Sequence, residues 1–213
     1  MRSKNADRTF TDQARRAQIV EGAIALIAEL GYGQASVGRI AARVGVAKSL
    51  VLYHFASKDE LVGAVVTEIY RAAAAVMLPA IDAEASAAGK LRAYIRANGT
   101  FIDTHRAHAL AVLELWTGFR TSTGLRLDEA AAQSPPPDGD LARLDPAAIL
   151  ELGQRTGEFR AFSAQSMAIA VRQAVDGAVP RLARDPEFDV PGYCEELVTA
   201  FDLATRAPQG RRA

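Results

Sequence analysis

Residues 36–61, SVGRIAARVGVAKSLVLYHFASKDEL, constrain this chain more than any other stretch. Ser36 can cap a helix, and Val37, Ile40, Ala41 and Val44 follow at the spacing of one buried helical face. Gly45 interrupts that run, and a second short helix carries Val46, Val51 and Phe55. Two short helices joined by a glycine-containing turn form a helix-turn-helix, whose second helix fits the DNA major groove. Ala41 suits a close helix crossing, and Gly45 suits backbone angles that a residue with a Cβ resists.

Immediately downstream, Ser57-Lys58-Asp59-Glu60 reads as a capping box, in which a serine hydroxyl and a glutamate carboxylate satisfy free amides at a helix start. The whole run resembles the DNA-binding half of TetR-type (TetR/AcrR) bacterial transcriptional regulators. That pattern has a Thr or Ser, a helix ending in I-A-x-x-x-G-V, a short recognition helix, Y-H-F, a short gap and S-K-x-x-L. Ser36, Ile40, Ala41, Gly45, Val46, Tyr53, His54, Phe55, Ser57, Lys58 and Leu61 carry it here. The resemblance covers roughly the first third of the chain; beyond it only length and helix pattern agree.

By that resemblance the fold is all-α. A three-helix helix-turn-helix domain (1–56) is followed by a helical-bundle domain (57–213) for ligand binding and dimerisation. The resemblance assigns DNA contacts to Ser36, Gly38, Lys48, Ser49, Leu50, Leu52, Tyr53, His54 and Lys58. Elementary chemistry agrees for several of them. Ser36 and the amides behind it can donate to a phosphate, Lys48 can meet phosphate or guanine, and Tyr53, His54 and Lys58 offer flanking donors. Phe55 is core. Tyr53 has an alternative as a ring packed between helices.

Four departures from the pattern stand out. Ala47 occupies a position usually held by a capping serine, at a cost of about 1 kcal/mol. Leu50 replaces the usual Thr or Asn, and Gly38 carries no base-reading side chain. Leu52 stands where a phosphate-binding tyrosine is common. An apolar Leu50 suits a thymine methyl better than a hydrogen-bonding base edge.

Charge supports the same polarity. The formal net charge is zero, yet residues 1–58 hold nine basic and four acidic side chains, an excess of +5 that the remainder balances. Such asymmetry is expected when one end meets phosphate. No run approaches twenty uninterrupted apolar residues, and the opening MRSKNADRTF has no apolar signal core. The single cysteine, Cys194, can form neither an intrachain disulfide nor a cysteine-based metal site. The expectation is a cytoplasmic protein with no membrane partner.

Taken in order, residues 1–10 read as a disordered tail, with Thr11 capping a helix through Ala14, Ala17, Val20, Ala23, Ile24, Ile27 and Leu30. The fourth helix runs through Leu61, Val65, Ile69 and Ala73 towards Met77 and stops at Pro79. Helices then follow from about Ala87 to His105 and from Ala107 to Arg120, the latter apolar on nearly all sides and hence buried. SPPPDGD (134–140) is the clearest loop. Asp145-Pro146 opens another helix, Ser163 caps one that Pro180 disrupts, and Asp189 caps the last. Nothing argues for strands.

Tyr70, Met77, Tyr94, Phe101, Glu114, Trp116 and Phe119 are candidate lining for a pocket holding an unknown small-molecule effector. Glu114 is the sharpest, because a carboxylate in a buried helix needs a partner, either Arg106, Arg120 or a ligand. Met167, Val171, Ala174, Val175 and Ala178, with Cys194, Leu197 and Phe201, form two apolar stripes. The resemblance assigns these to a homodimer's four-helix interface, and ordinary core packing is the alternative. Pairing has its own motive, since one short recognition helix reads few bases.

Asp103, His105 and His108 have poor spacing for a metal, and neither a G-x-S-x-G elbow nor a phosphate-binding glycine motif is present. The sequence therefore points away from an enzyme, a metal or a cofactor. It points towards a regulator released from a palindromic operator, with repression implied by the resemblance. The rival is a helical ligand-binding or adaptor protein that no longer reads DNA.

Overall fold

The computed structural model describes residues 3–133 and 139–208, with side chains from Thr11 onward. It is built of twelve helices among those residues: α1 (Ser3–Leu30), α2 (Val37–Arg43), α3 (Lys48–His54), α4 (Lys58–Asp82), α5 (Ala87–Thr104), α6 (Arg106–Gly118), α7 (Leu127–Ala132), α8 (Gly139–Ala142), α9 (Ala147–Thr156), α10 (Ala164–Asp176), α11 (Ala178–Arg184) and α12 (Val190–Thr205). The described residues form no strand, only isolated bridges between Arg120 and Arg126 and between Phe159 and Arg206. Residues 134–138 of the expected SPPPDGD loop lie outside the described residues, and Gly139 and Asp140 open α8.

Several boundaries differ from expectation. The first helix begins at Ser3 rather than after Thr11, because SKNADRTF contains no proline or glycine to stop it. Its buried face is Ile19, Val20, Ala23, Ile24, Leu26 and Ile27, while Ala14, Ala17 and Leu30 are exposed. Pro79 does not end α4; the helix continues to Asp82, and the Pro79 carbonyl accepts from Ala83 N at 3.1 Å. A proline removes the bond its own amide would make to the turn before but leaves its carbonyl free to serve the next. The break near residue 180 falls instead at Gly177, and Pro180 sits in the first turn of α11, where its missing amide costs nothing.

The caps follow the sequence closely. Ser36, Ser86, Ser163 and Asp189 each accept from the amide three residues on, at 3.3, 3.0, 3.2 and 2.9 Å. Ser57 does the same for Glu60 N at 3.0 Å, but the Glu60 carboxylate reaches past Ser57 to Ala56 N at 2.8 Å.

The chain divides into two compact units, Met1–Ile69 with Ala107–Pro135, and Tyr70–Arg106 with Pro136–Ala213. The division does not fall at residue 56: the first turns of α4, together with α6, pack with the N-terminal helices. In the first unit α1, α2 and α3 bury Ile24, Ile40, Val51 and Phe55 together with Leu61, Val65 and Leu115. In the second, α5 is the central helix, packed by α9, α10, α11 and α12. α5 and α12 approach closely at Gly99 and Cys194: a Cβ on Gly99 would lie 2.5 Å from Sγ. The Glu158 carboxylate takes the free amides of Ala87 and Ala88 at the start of α5, each at 3.0 Å.

By length and composition α4 is apolar enough to cross a bilayer. It spends that character instead on core packing through Leu61, Val62, Val65, Ile69 and Met77.

Candidate nucleic-acid interface

The site is the short helix α3 and the turn before it. Ser36 starts α2 from an extended conformation, and Gly45 turns the chain at φ +70°, the left-handed region that only glycine enters without strain. The tight crossing of α2 on α1 is made at Gly22, where a Cβ would collide with the Val44 side chain. Ala41 is buried, and Gly22 is what this separate crossing of α2 on α1 demands. A bidentate pair from Arg43 to Glu29, at 2.6 and 2.5 Å, ties the end of α2 to the end of α1.

With that support, α3 sorts its seven residues cleanly. Val51 and the following Phe55 are 1 % exposed and anchor it in the core. Lys48, Ser49, Leu52 and Tyr53, spaced i, i+1, i+4, i+5, lie on the opposite face in solvent. Tyr53 is 73 % and Leu52 47 % exposed, so the Tyr53 ring does not pack between helices. It meets only the edge of the His54 ring, at 5.2 Å. Leu50 and His54 are half-buried at the margins of this face, and Ser36 and Gly38 are exposed at the start of α2. Lys48 has no acidic partner among the described ion pairs, which leaves its charge available to an anion. Ala47 adopts the extended N-cap conformation but, lacking a hydroxyl, makes no cap bond.

Lys58 is placed less simply. Its ammonium sits 4.0 Å above the Tyr32 ring, and burial lowers its pKa, opposed by the charge of Asp59. Tyr32 meets the edge of Phe119 at 5.4 Å, and its amide donates to Glu114 Oε2 at 3.4 Å. Asp59 Oδ2 accepts from both the amide and the hydroxyl of Ser122, at 2.8 and 2.9 Å. The start of α4 is thus bonded to the segment after α6.

The residues expected to line an effector pocket fall in both compact units. Glu114, Trp116 and Phe119 belong to the first compact unit, whereas Tyr70, Met77, Tyr94 and Phe101 belong to the second. Glu114 is half-buried and is satisfied by a backbone amide, not by Arg106, which binds Asp103 and the Pro186 carbonyl, nor by Arg120, which binds the Phe119 carbonyl. Trp116 is exposed, so α6 is not buried on all sides. In the second unit Met77, Tyr94 and Phe101 are buried, and burial pushes the Tyr94 hydroxyl up to about 12.

The expected pairing stripes are also corrected in part. Val171, Val175, Ala178 and Cys194 are buried within a single protomer, facing α5 and its neighbours, and so form its core rather than a surface. Met167, Ala174, Leu197 and Phe201 are half-exposed. The apolar side chains these helices offer to solvent are Ile169 on α10 and Leu203 on α12, 56 % and 65 % exposed. The core stripe and the outward one lie a residue or two apart, which periodicity alone does not resolve. Asp103 and His105 find partners in Arg106, Thr104 and the Phe101 ring, while His108 lies 3.8 Å from Glu21.

Comparison with known proteins agrees with this geometry. The profile of bacterial regulatory proteins of the tetR family matches residues 19–65, from the core of α1 into α4. The chain is 30 % identical over 106 residues to the HTH-type transcriptional regulator BetI of Cronobacter sakazakii, covering 48 % of this chain and 52 % of BetI. It is 40 % identical over 63 residues to the HTH-type transcriptional repressor Rv1474c of Mycobacterium tuberculosis, covering 30 % of this chain and 34 % of that one. The match therefore spans about half the length of the first relative and a third of the second. Among solved structures, FadR of Bacillus subtilis in complex with stearoyl-CoA superposes with a TM-score of 0.71 at 22 % identity, over 86 % of this chain and 95 % of that one. A transcriptional regulator of Saccharomonospora viridis in complex with choline gives 0.67 at 20 %, over 91 % and 98 %. These likenesses extend the shared fold well beyond the matched profile. Residues 19–65 thus resemble the bacterial regulatory proteins of the tetR family, and the helical fold of the chain is shared with FadR and the choline-bound regulator.

Proposed function

We propose that this protein is a homodimeric DNA-binding transcriptional regulator, a repressor that leaves a palindromic operator when a small molecule binds. The exposed face of α3 carries the reading. A seven-residue helix that offers Lys48, Ser49, Leu52 and Tyr53 to water, on a scaffold fixed by buried Val51 and Phe55, exposes apolar area that a groove would cover. Lys48 and Lys58 supply charge for phosphate, Ser36 and the first amides of α2 supply hydrogen bonds, and Leu50 faces a thymine methyl. In this reading residues 1–56 read DNA and the remainder senses the effector and pairs. Two protomers meet through the outward faces of α10 and α12, with Ile169 and Leu203 at the contact, beside Met167, Leu197 and Phe201.

The effector shifts a two-state equilibrium by binding one conformation better than the other. Tyr70, Met77, Tyr94 and Phe101 are the lining to test first. FadR of Bacillus subtilis holds stearoyl-CoA and the Saccharomonospora viridis regulator holds choline, so an acyl-CoA and a quaternary ammonium both belong in a first ligand screen. The work is done where the DNA is, in the cytoplasm.

The test is binding to the duplex upstream of the protein's own gene, by anisotropy at several salt concentrations. Contact with about six phosphates gives log K against log[salt] a slope of about −5. Absence of salt-dependent binding to any genomic duplex would overturn the proposal.

A further inference from the structure

We infer that Arg16, on α1 and outside the matched residues 19–65, is a positioning residue for DNA recognition: it fixes the exit of the recognition helix and thereby sets how α3 meets the bases. The inference rests on the DNA-binding reading above. Its basis is three contacts of one guanidinium. Nη1 donates to the His54 carbonyl, the last residue of α3. The guanidinium Cζ lies 4.1 Å from the centroid of the ring of Phe55, the buried anchor that follows. Nη2 lies 3.2 Å from Glu60 Oε1, while the other Glu60 oxygen accepts from Ala56 N at 2.8 Å. Residues 54 and 55 are therefore held directly by one side chain reaching across from another helix, and residue 56 by the Glu60 carboxylate that the same guanidinium meets.

The recognition helix needs such help more than most. It has seven residues, too few to be stable alone, and its first turn lacks a side-chain cap because residue 47 is alanine. Its last carbonyls have no partner inside the helix. Arg16 provides one from outside, for the carbonyl of His54. The exposed Arg16–Glu60 ion pair by itself carries little energy. What matters is the planar fork, which grips carbonyl, ring and carboxylate at once and which lysine cannot reproduce.

The experiment uses the full-length protein and a duplex enriched by the wild type from a random-sequence library. Arg16→Lys keeps the charge and loses the fork; Arg16→Gln loses both. For both variants the ratio of selected-duplex to random-duplex affinity should fall about tenfold. With Arg16→Gln the salt slope should stay as in the wild type, since a positioning residue releases no counterions, whereas a phosphate contact would lower it by about 0.9. Hydrogen exchange of the Phe55 and Ala56 amides should quicken in both. A purely global loss of stability would lower both affinities alike and leave their ratio unchanged. An unchanged ratio, unchanged exchange at 55 and 56, or a slope reduced by one phosphate each overturns the role given to Arg16. A wild type that enriches no duplex overturns the DNA-binding reading on which it rests.

Discussion

Replacing Ala47 by serine tests how α3 is held. Ala47 sits at the N-cap with φ −68° and ψ 143°, close to Ser36 at the cap of α2 with φ −79° and ψ 154°. At Ser36 the hydroxyl accepts from Arg39 N at 3.3 Å; at Ala47 the corresponding oxygen is missing, and Leu50 N reaches only the Ala47 carbonyl, at 3.0 Å. Position 47 is exposed, so a hydroxyl there displaces no packing and needs no desolvation. The gain is the ordinary value of a restored cap, about 1 kcal/mol. It raises Tm by about 2–4 °C if the chain melts as one unit, and by about 4–8 °C if the first compact unit melts by itself. Urea and thermal unfolding of Ala47→Ser, Ala47→Gly and Ala47→Asp should rank Asp and Ser above Gly and Gly above wild type. On DNA the order separates: Ser keeps affinity, whereas Asp places a carboxylate beside phosphate and weakens it. A melting temperature for Ala47→Ser at or below wild type refutes the reasoning.

Leu50→Ala should lose about 1 kcal/mol of affinity at one thymine-containing step of the selected duplex, read by single-base substitution; an equal loss at every sequence contradicts the methyl contact. Gly99→Ala should destabilise by about 1–3 kcal/mol in urea unfolding, because its Cβ would lie 2.5 Å from Cys194 Sγ, and Cys194→Ala should recover part of that loss. The Cys194 thiol is pushed up to about 11 by burial, so a thiol reagent at pH 8 should label unfolded protein far faster than folded. Glu158 is held below the ordinary 4.5 by the amides of Ala88 and Ala87. Its contribution is present above that pH and lost as pH falls through the lower folded value. The urea midpoint should drop below about pH 4.5, less steeply in Glu158→Gln.

How much was legible differed by element. The helix-turn-helix was readable because its determinants are local: a capping serine, a glycine at positive φ and an apolar spacing that closes within about twenty residues. Most caps were readable for the same reason. Proline was over-read at Pro79, which α4 passes because only one amide bond is lost, and at Pro180, which sits in a first turn where its missing amide costs nothing. The stripes of α10 and α12 were visible as apolar, but period alone does not say whether Val171 and Cys194 or Ile169 and Leu203 face outward; packing against α5 decides it. Arg16, Tyr32 and Asp59 left no signal, because their partners lie tens of residues away and nothing in the spacing marks a guanidinium that will meet a distant carbonyl. Glu114 was expected to meet Arg106, Arg120 or a ligand, and it accepts instead from the backbone amide of Tyr32, a donor that every residue but proline possesses.

The central claim is that two copies of α3 read one palindrome. The direct measurement is a hydroxyl-radical footprint on the selected duplex, combined with the mass of the complex by sedimentation. The account predicts protection of two matching half-sites centred about one helical turn, about 34 Å, apart, with an even number of protomers bound. A single protected half-site under one protomer, or no protection while small molecules still bind, would contradict it.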